Sequence, residues 1–161
     1  MTKKVLVMAI VMVASLAATS LTVRAQAQGD IDASINLLRS DLRTKKAIVI
    51  REQLPLSESE ANAFWPIYKR YETATMALND AKLALIKDYA AAFETMTDAK
   101  AKELANSALD LDEKRQALRK KFYLEFAKVL NGKACARFVQ LDRRIDLLVD
   151  LQIASELPLL K

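Results

Sequence analysis

Leu56-Ser57-Glu58-Ser59-Glu60 opens a run that continues through Phe64-Trp65-Pro66-Ile67-Tyr68 to Tyr71. Its first five residues read as a helix start. The Ser57 hydroxyl is placed to accept from the backbone N–H of Glu60. The Glu60 carboxylate is placed to accept from the backbone N–H of Ser57. Two of the donors that a helix leaves unpaired at its N-terminus are then satisfied reciprocally. Apolar residues follow at helical spacing: Phe64, Ile67, Tyr71, Ala74, Leu78, Ala81, Leu85, Ala92 and Met96 form one stripe with a near-heptad repeat. Pro66 falls inside this run. A proline in a helix interior removes one backbone bond and crowds the carbonyl four residues back, at a cost of ~3 kcal/mol. The stripe keeps its phase across Pro66, which predicts a kink near Trp65-Pro66 and not a break.

The rest of the chain reads outward from this helix. Pro55 disfavours helix at the residue before it. It closes a first helix running from about Asp30 to Gln53, with Ile31, Ile35, Leu38, Leu42 and Val49 on one face and Lys45 interrupting them. On the other side, Met96-Thr97-Asp98 marks a boundary, with Thr97 or Asp98 as N-cap. Leu104, Ala108, Leu111, Leu118, Phe122, Phe126 and Val129 make a third stripe. Asn131-Gly132 reads as a left-handed stop that ends the third helix. A fourth helix follows, with Ala134, Phe138, Leu141, Ile145 and Leu148 on one face, and Pro158 lies in a short tail.

Only two glycines and three prolines occur in 161 residues, and alanine, leucine, lysine, glutamate and arginine dominate, a composition that favours helix almost everywhere. The expected fold class is all-α, with four helices, two of them long. A second helix of about 40 residues would span roughly 60 Å. A compact domain of this size has a radius of gyration of only ~14 Å. The lengths therefore predict an elongated, curved helical hairpin assembly with an apolar flank left for a partner.

The N-terminus carries a different signal. Lys3-Lys4 precedes an uncharged apolar or small run from Val5 to Val23, and Arg24 is followed by the small-x-small triplet Ala25-Gln26-Ala27. These read as a secretory signal peptide over residues 1–27, with a single helical domain over 28–161 and a periplasmic destination. A retained anchor helix is the other reading, since the run approaches the ~20 residues that span a bilayer. Cys135 is the only cysteine, so no acylated cysteine stands at the cleavage site. The precursor carries 25 basic and 20 acidic residues, net +5. Removal of residues 1–27 takes Lys3, Lys4 and Arg24 and no acid, so 22 basic residues face 20 acidic ones, net +2. The basic balance is partly a property of the signal, and no nucleic-acid partner is expected. No stable membrane insertion is expected after cleavage.

Catalysis finds little support. The chain has no histidine, which removes the usual general base. Cys135 therefore lacks the partner of a cysteine–histidine nucleophile. Two isolated glycines make no phosphate-cradling loop. One cysteine without histidine is a poor donor set for zinc, and neither metal nor cofactor is expected. Asp110 with Asp112, and Asp142 with Asp146, read as solvated helix faces with ion-pair partners nearby. Cys135 lies one residue off the fourth stripe. A buried inert thiol, a dimer-linking disulfide and a redox-sensitive thiol are the readings open to it.

Two surfaces are candidates for binding. Phe64, Trp65, Tyr68 and Tyr71 either pack the mouth of the helical hairpin or present an amphipathic contact face. On the third helix, Arg115, Leu118, Arg119, Lys120 and Phe122 mix cations with apolar groups; they read either as an exposed charged face paired with Asp112 and Glu113 or as part of a binding surface, a patch that Arg137, Arg143 and Arg144 of the fourth could extend. In such a surface, charge steers encounter and apolar contact supplies affinity.

Three stretches carry a family resemblance. Leu56-Ser57-Glu58-Ser59-Glu60 resembles the Leu-Thr-x-x-Gln motif of the Spy/CpxP-like periplasmic proteins. Phe64-Trp65-Pro66-Ile67-Tyr68-x-x-Tyr71 is similar to the aromatic segment that follows it. Leu130-Asn131-Gly132-Lys133-Ala134-Cys135-Ala136-Arg137-Phe138 stands where the motif repeats, and resembles a Lys-x-Ala-x-Arg-Phe variant. Ser57 replaces threonine and Glu60 replaces glutamine, while the second copy has neither capping residue. The resemblance implies long helices wrapped into a cradle-shaped homodimer. It implies an ATP-independent chaperone that holds unfolded or partly folded envelope proteins, or, alternatively, an accessory protein that binds the periplasmic domain of an envelope-stress sensor kinase or another envelope partner.

Overall fold

The computed structural model describes residues 43–160. Among the described residues the chain forms four helices and no strand. Helix α1 covers residues 43–53. Helix α2 is Glu58–Ala92, followed by a 3-10 turn at Phe93–Thr95. Helix α3 is Asp98–Phe126 and α4 is Gly132–Glu156. The chain divides after Val49, and Ile50–Lys161 forms a compact unit of its own. Residues 43–49 before it are helical; the packing that follows is that of this unit. The expected signal peptide, its cleavage site and the first-helix face at Ile31, Ile35, Leu38 and Leu42 lie outside the described residues.

The expected capping box forms. Glu60 N–H donates to Ser57 Oγ at 3.3 Å, and Ser57 N–H donates to Glu60 Oε2 at 3.0 Å. The Ser57 backbone N–H, and after it the Ser57 hydroxyl, which donates to Glu60 Oε2 at 2.9 Å, hold the Glu60 carboxyl below its usual value. Helix α2 runs unbroken through Pro66. Pro66 and Asn62 are both exposed, so the carbonyl that loses its partner at Asn62 faces water. Thr97 is the N-cap of α3, its side chain accepting from Lys100 N–H at 3.2 Å.

The Asn131-Gly132 reading is corrected. No described glycine has positive φ, and Gly132 is the first residue of α4. Helix α3 ends earlier, at Phe126. Its last carbonyls are taken by the following turn, with Ala127 N–H on Tyr123 O at 2.9 Å and Leu130 N–H on Phe126 O at 2.9 Å. Asn131 is the N-cap of the next helix, its Oδ1 accepting from Ala134 N–H at 3.0 Å. A start signal was read as a stop because asparagine serves both ends of a helix. Asn131 Nδ2 also donates to Glu60 Oε1 at 3.1 Å. One carboxylate thus ties together the N-terminal caps of α2 and α4.

Cross-helix contacts fix the directions. Phe64 meets Phe126, Tyr71 meets Phe122, Arg115 meets Asn79 and Lys100 meets Asp88. The pairing descends on α3 as it ascends on α2, so the two are antiparallel. Asn131 meets Glu60, Phe138 meets Phe64, Asp142 meets Tyr71 and Asp150 meets Lys82, so α4 runs parallel to α2. The result is a three-helix bundle with a cap end, at Ser57 and Asn131, and a hairpin end, at Phe93–Thr95.

The core sits at the cap end. The Phe126 and Phe138 rings are 4.4 Å apart, Phe64 is 5.1 Å from Phe126, and Tyr71 is 5.3 Å from Phe122. Ile50, Leu54, Ile67, Tyr68, Leu130 and Cys135 are buried around them. Each buried aromatic contributes about 1.5–3 kcal/mol of transfer free energy, with roughly 0.5–1.5 kcal/mol more for a well-oriented ring pair. The aromatic cluster predicted as either packing or contact face is thus packing for Phe64, Tyr68 and Tyr71.

The fourth stripe is also corrected. Leu148 is 63% exposed, whereas Cys135, off the expected stripe, is 2% exposed. The buried positions are Cys135, Phe138 and Asp142. The inward face of α4 is therefore rotated from the one drawn through Ala134 and Leu148. Burial alone pushes the Cys135 thiol up, away from the reactive thiolate.

Candidate binding surface

The most specific polar geometry is internal. Asp142, 1% exposed, accepts at Oδ2 from the Tyr71 hydroxyl at 2.7 Å and from Arg119 Nε at 3.3 Å. Arg119 Nη2 donates to Asp146 Oδ2 at 2.7 Å, and Nη1 donates to Gln116 Oε1. Burial opposes the Arg119 charge, but Tyr71, Asp142 and Asp146 outweigh it and raise the guanidinium above its ordinary value. Asp142 and Asp146 are therefore not the solvated pair expected from sequence. They lie on the inward side of α4 with Asp150, which accepts from Lys82 Nζ at 2.5 Å. Spacing of four residues puts all three carboxylates on one helix face.

That inward row leaves the outward face of α4 without an acid from Lys133 to Ser155. Lys133, Arg137, Arg144, Leu148 and Leu151 succeed one another there at spacings that share a face, with Arg143 and Leu147 at its edge, and all seven are exposed. Leu147, Leu148 and Leu151 are 49%, 63% and 68% exposed. Leu147 and Leu151 were missed by the sequence reading. No local signal separates them from core positions, because an apolar helix stripe regularly includes adjacent residues.

The other predicted positions separate. Phe122 is a core residue, and Arg119 is held in the buried network while also lining the α3–α4 groove. Leu118 is half-buried, as is Arg115, which donates to Asn79 Oδ1 at 2.9 Å. Lys120, Arg143 and Arg144 are exposed. Arg137 Nε donates to Gln53 O at 2.6 Å, satisfying a carbonyl at the end of α1. Of the motif residues, Ser57 and Glu60 are the cap, and Phe64, Tyr68, Tyr71 and Phe138 the core. Leu56 is half-buried, Pro66 exposed, and Trp65 lies under the Arg51 guanidinium at 4.6 Å.

Two open grooves mark the bundle surface. One, of about 390 Å³, lies between α2 and α3 and is lined by Ala81, Ala84, Leu85, Asp88, Ser107, Asp110, Leu111 and Lys114. The other, of about 480 Å³, lies between α3 and α4 and is lined by Gln116, Arg119, Lys120, Tyr123, Ala136, Val139 and Gln140. Among the described residues no group of three histidine, cysteine, aspartate or glutamate side chains is placed to hold a metal ion. None of the described helices is long and apolar enough to cross a membrane. Comparison of the chain with family models, curated proteins and solved structures yields no match.

Proposed function

We propose that this is a periplasmic binding protein that holds unfolded or partly folded envelope proteins without nucleotide and without catalysis, as a homodimer. The observation that supports it most is the α3–α4 groove. There Arg119, Lys120 and the exposed ring of Tyr123 line the groove with Ala136 and Val139. A shallow surface of cations and apolar groups suits varied acidic, partly apolar segments, with charge governing encounter and apolar contact governing retention. The export reading of residues 1–27 and the likeness to Spy/CpxP-like proteins supply the compartment and the class of partner.

An aggregation assay tests this reading. The purified protein should suppress light scattering by an unfolding client near stoichiometric ratio, and Lys120→Glu/Tyr123→Ser should weaken the suppression with no change in Tm. No suppression at any ratio, together with recovery of one specific partner from envelope extracts, would instead favour the sensor-kinase accessory. Sedimentation mass tests the homodimer.

A further inference from the structure

We propose that the outward face of α4 is a docking surface for the anionic face of a lipid bilayer, on which the helix lies flat. This inference is independent of the holdase reading and concerns a different face. Three observations carry it. First, the acids of α4 are segregated: Asp142, Asp146 and Asp150 turn inward to Tyr71, Arg119 and Lys82, and only Glu156, at the helix end, is left. Second, the outward cations Arg143 and Arg144 stand directly beside Leu147, Leu148 and Leu151. From Arg144 to Leu151 the helix rises about 10 Å. Arginine stems reach headgroups while the leucines enter the acyl boundary, the arrangement of a helix held in the interface plane. Third, neither the α2–α3 groove nor the α3–α4 groove is lined by any of these five residues.

The other occupants fit less well. Three exposed leucines over little more than one turn offer far less than the ~800 Å² per partner that a stable dimer buries. Protein hot spots favour tryptophan, tyrosine and arginine in pockets, and leucine is under-represented among them. A fluid anionic plane needs no pocket, only cations beside apolar side chains.

The full chain carrying Ser155→Cys, labelled with an environment-sensitive dye, tests this, because Cys135 is 2% exposed and does not compete for the label. The apolar run at Val5–Val23 can hold the chain to any bilayer, so the comparison is between vesicle compositions. Phosphatidylglycerol-containing vesicles should shift the emission to the blue, pure phosphatidylcholine vesicles should not, and high salt should reverse the shift. Arg143→Gln/Arg144→Gln should raise the lipid concentration at half-shift about 20-fold. Leu148→Gln/Leu151→Gln should raise it at least tenfold. Equal shifts on both vesicle types, or none on anionic ones, would overturn the proposal. A shift that grows with protein concentration without lipid would assign the face to a second copy, and one seen only with an unfolded protein would assign it to clients; either overturns it.

Discussion

The cap end and the hairpin end of the bundle use the same three helices in different ways. At the cap end, α2 buries Phe64, Ile67, Tyr68, Tyr71 and Thr75, α3 buries Phe122 and Phe126, and α4 buries Cys135, Phe138 and Asp142. Beyond Thr75, α2 buries no described side chain, and beyond Asp142 neither does α4. Only Leu104 and Leu111 of α3 are buried toward the hairpin end. There, polar links carry the contacts: Lys82 to Asp150 at 2.5 Å, Lys100 to Asp88 at 2.8 Å, and the Tyr89 hydroxyl to Pro158 O at 2.6 Å. Partly exposed ion pairs contribute about 0–1 kcal/mol each, less than one buried ring. Helix continuity says little about where stability lies; side-chain size along the stripe says more.

Substitutions at the two ends sharpen the contrast. Phe126→Ala removes the ring that touches Phe64, Tyr71, Phe122 and Phe138, and should cost about 3–5 kcal/mol in denaturant titration. Asp142→Ala removes the carboxylate that the Tyr71 hydroxyl and Arg119 Nε share in a buried setting; a loss of about 3 kcal/mol is expected by the same measurement. Ser57→Ala and Asn131→Ala should each cost about 1 kcal/mol. Because Glu60 touches both caps, the two losses should fall short of additivity in a double-mutant cycle. At the hairpin end, Lys82→Gln should cost no more than about 0.5 kcal/mol, an effect that would erase the contrast if it rivalled Phe126→Ala.

Glu60 adds a pH dependence. Its carboxyl is lowered in the folded chain, chiefly by the Ser57 backbone N–H. Its stabilising contribution is present above the unfolded carboxylate value and is lost as pH falls through the folded one. Below the unfolded carboxylate value, melting temperatures should therefore fall less steeply with pH for Glu60→Gln than for the native chain.

Much of this was legible in the sequence, for local reasons. The capping box at Ser57, the stop at Pro55 and the start at Thr97 follow from side chains and backbone groups within four residues of one another. The cross-helix facts were not legible. Asp142 sits in the core because Tyr71 and Arg119 arrive there from other helices, at sequence distances of 71 and 23 residues. A stripe drawn through Ala134 and Leu148 misplaces the inward face because alanine and leucine fit either side of a helix, and only packing chooses. Phe122 looked like a contact residue because its neighbours Lys120 and Lys121 are cations, although the ring itself turns inward. The candidate binding surface was therefore half found: Lys120, Arg143 and Arg144 from their charge, and Tyr123, Leu147 and Leu151 only from their exposure.

Native-state hydrogen exchange tests the division of the bundle most directly. Amides near Phe64–Thr75, Phe122–Phe126 and Cys135–Asp142 should exchange only through global unfolding. Those near Leu78–Ala92, Asp98–Leu111 and Leu147–Glu156 should exchange through smaller openings of clearly lower free energy. One common free energy across both ends would contradict the account.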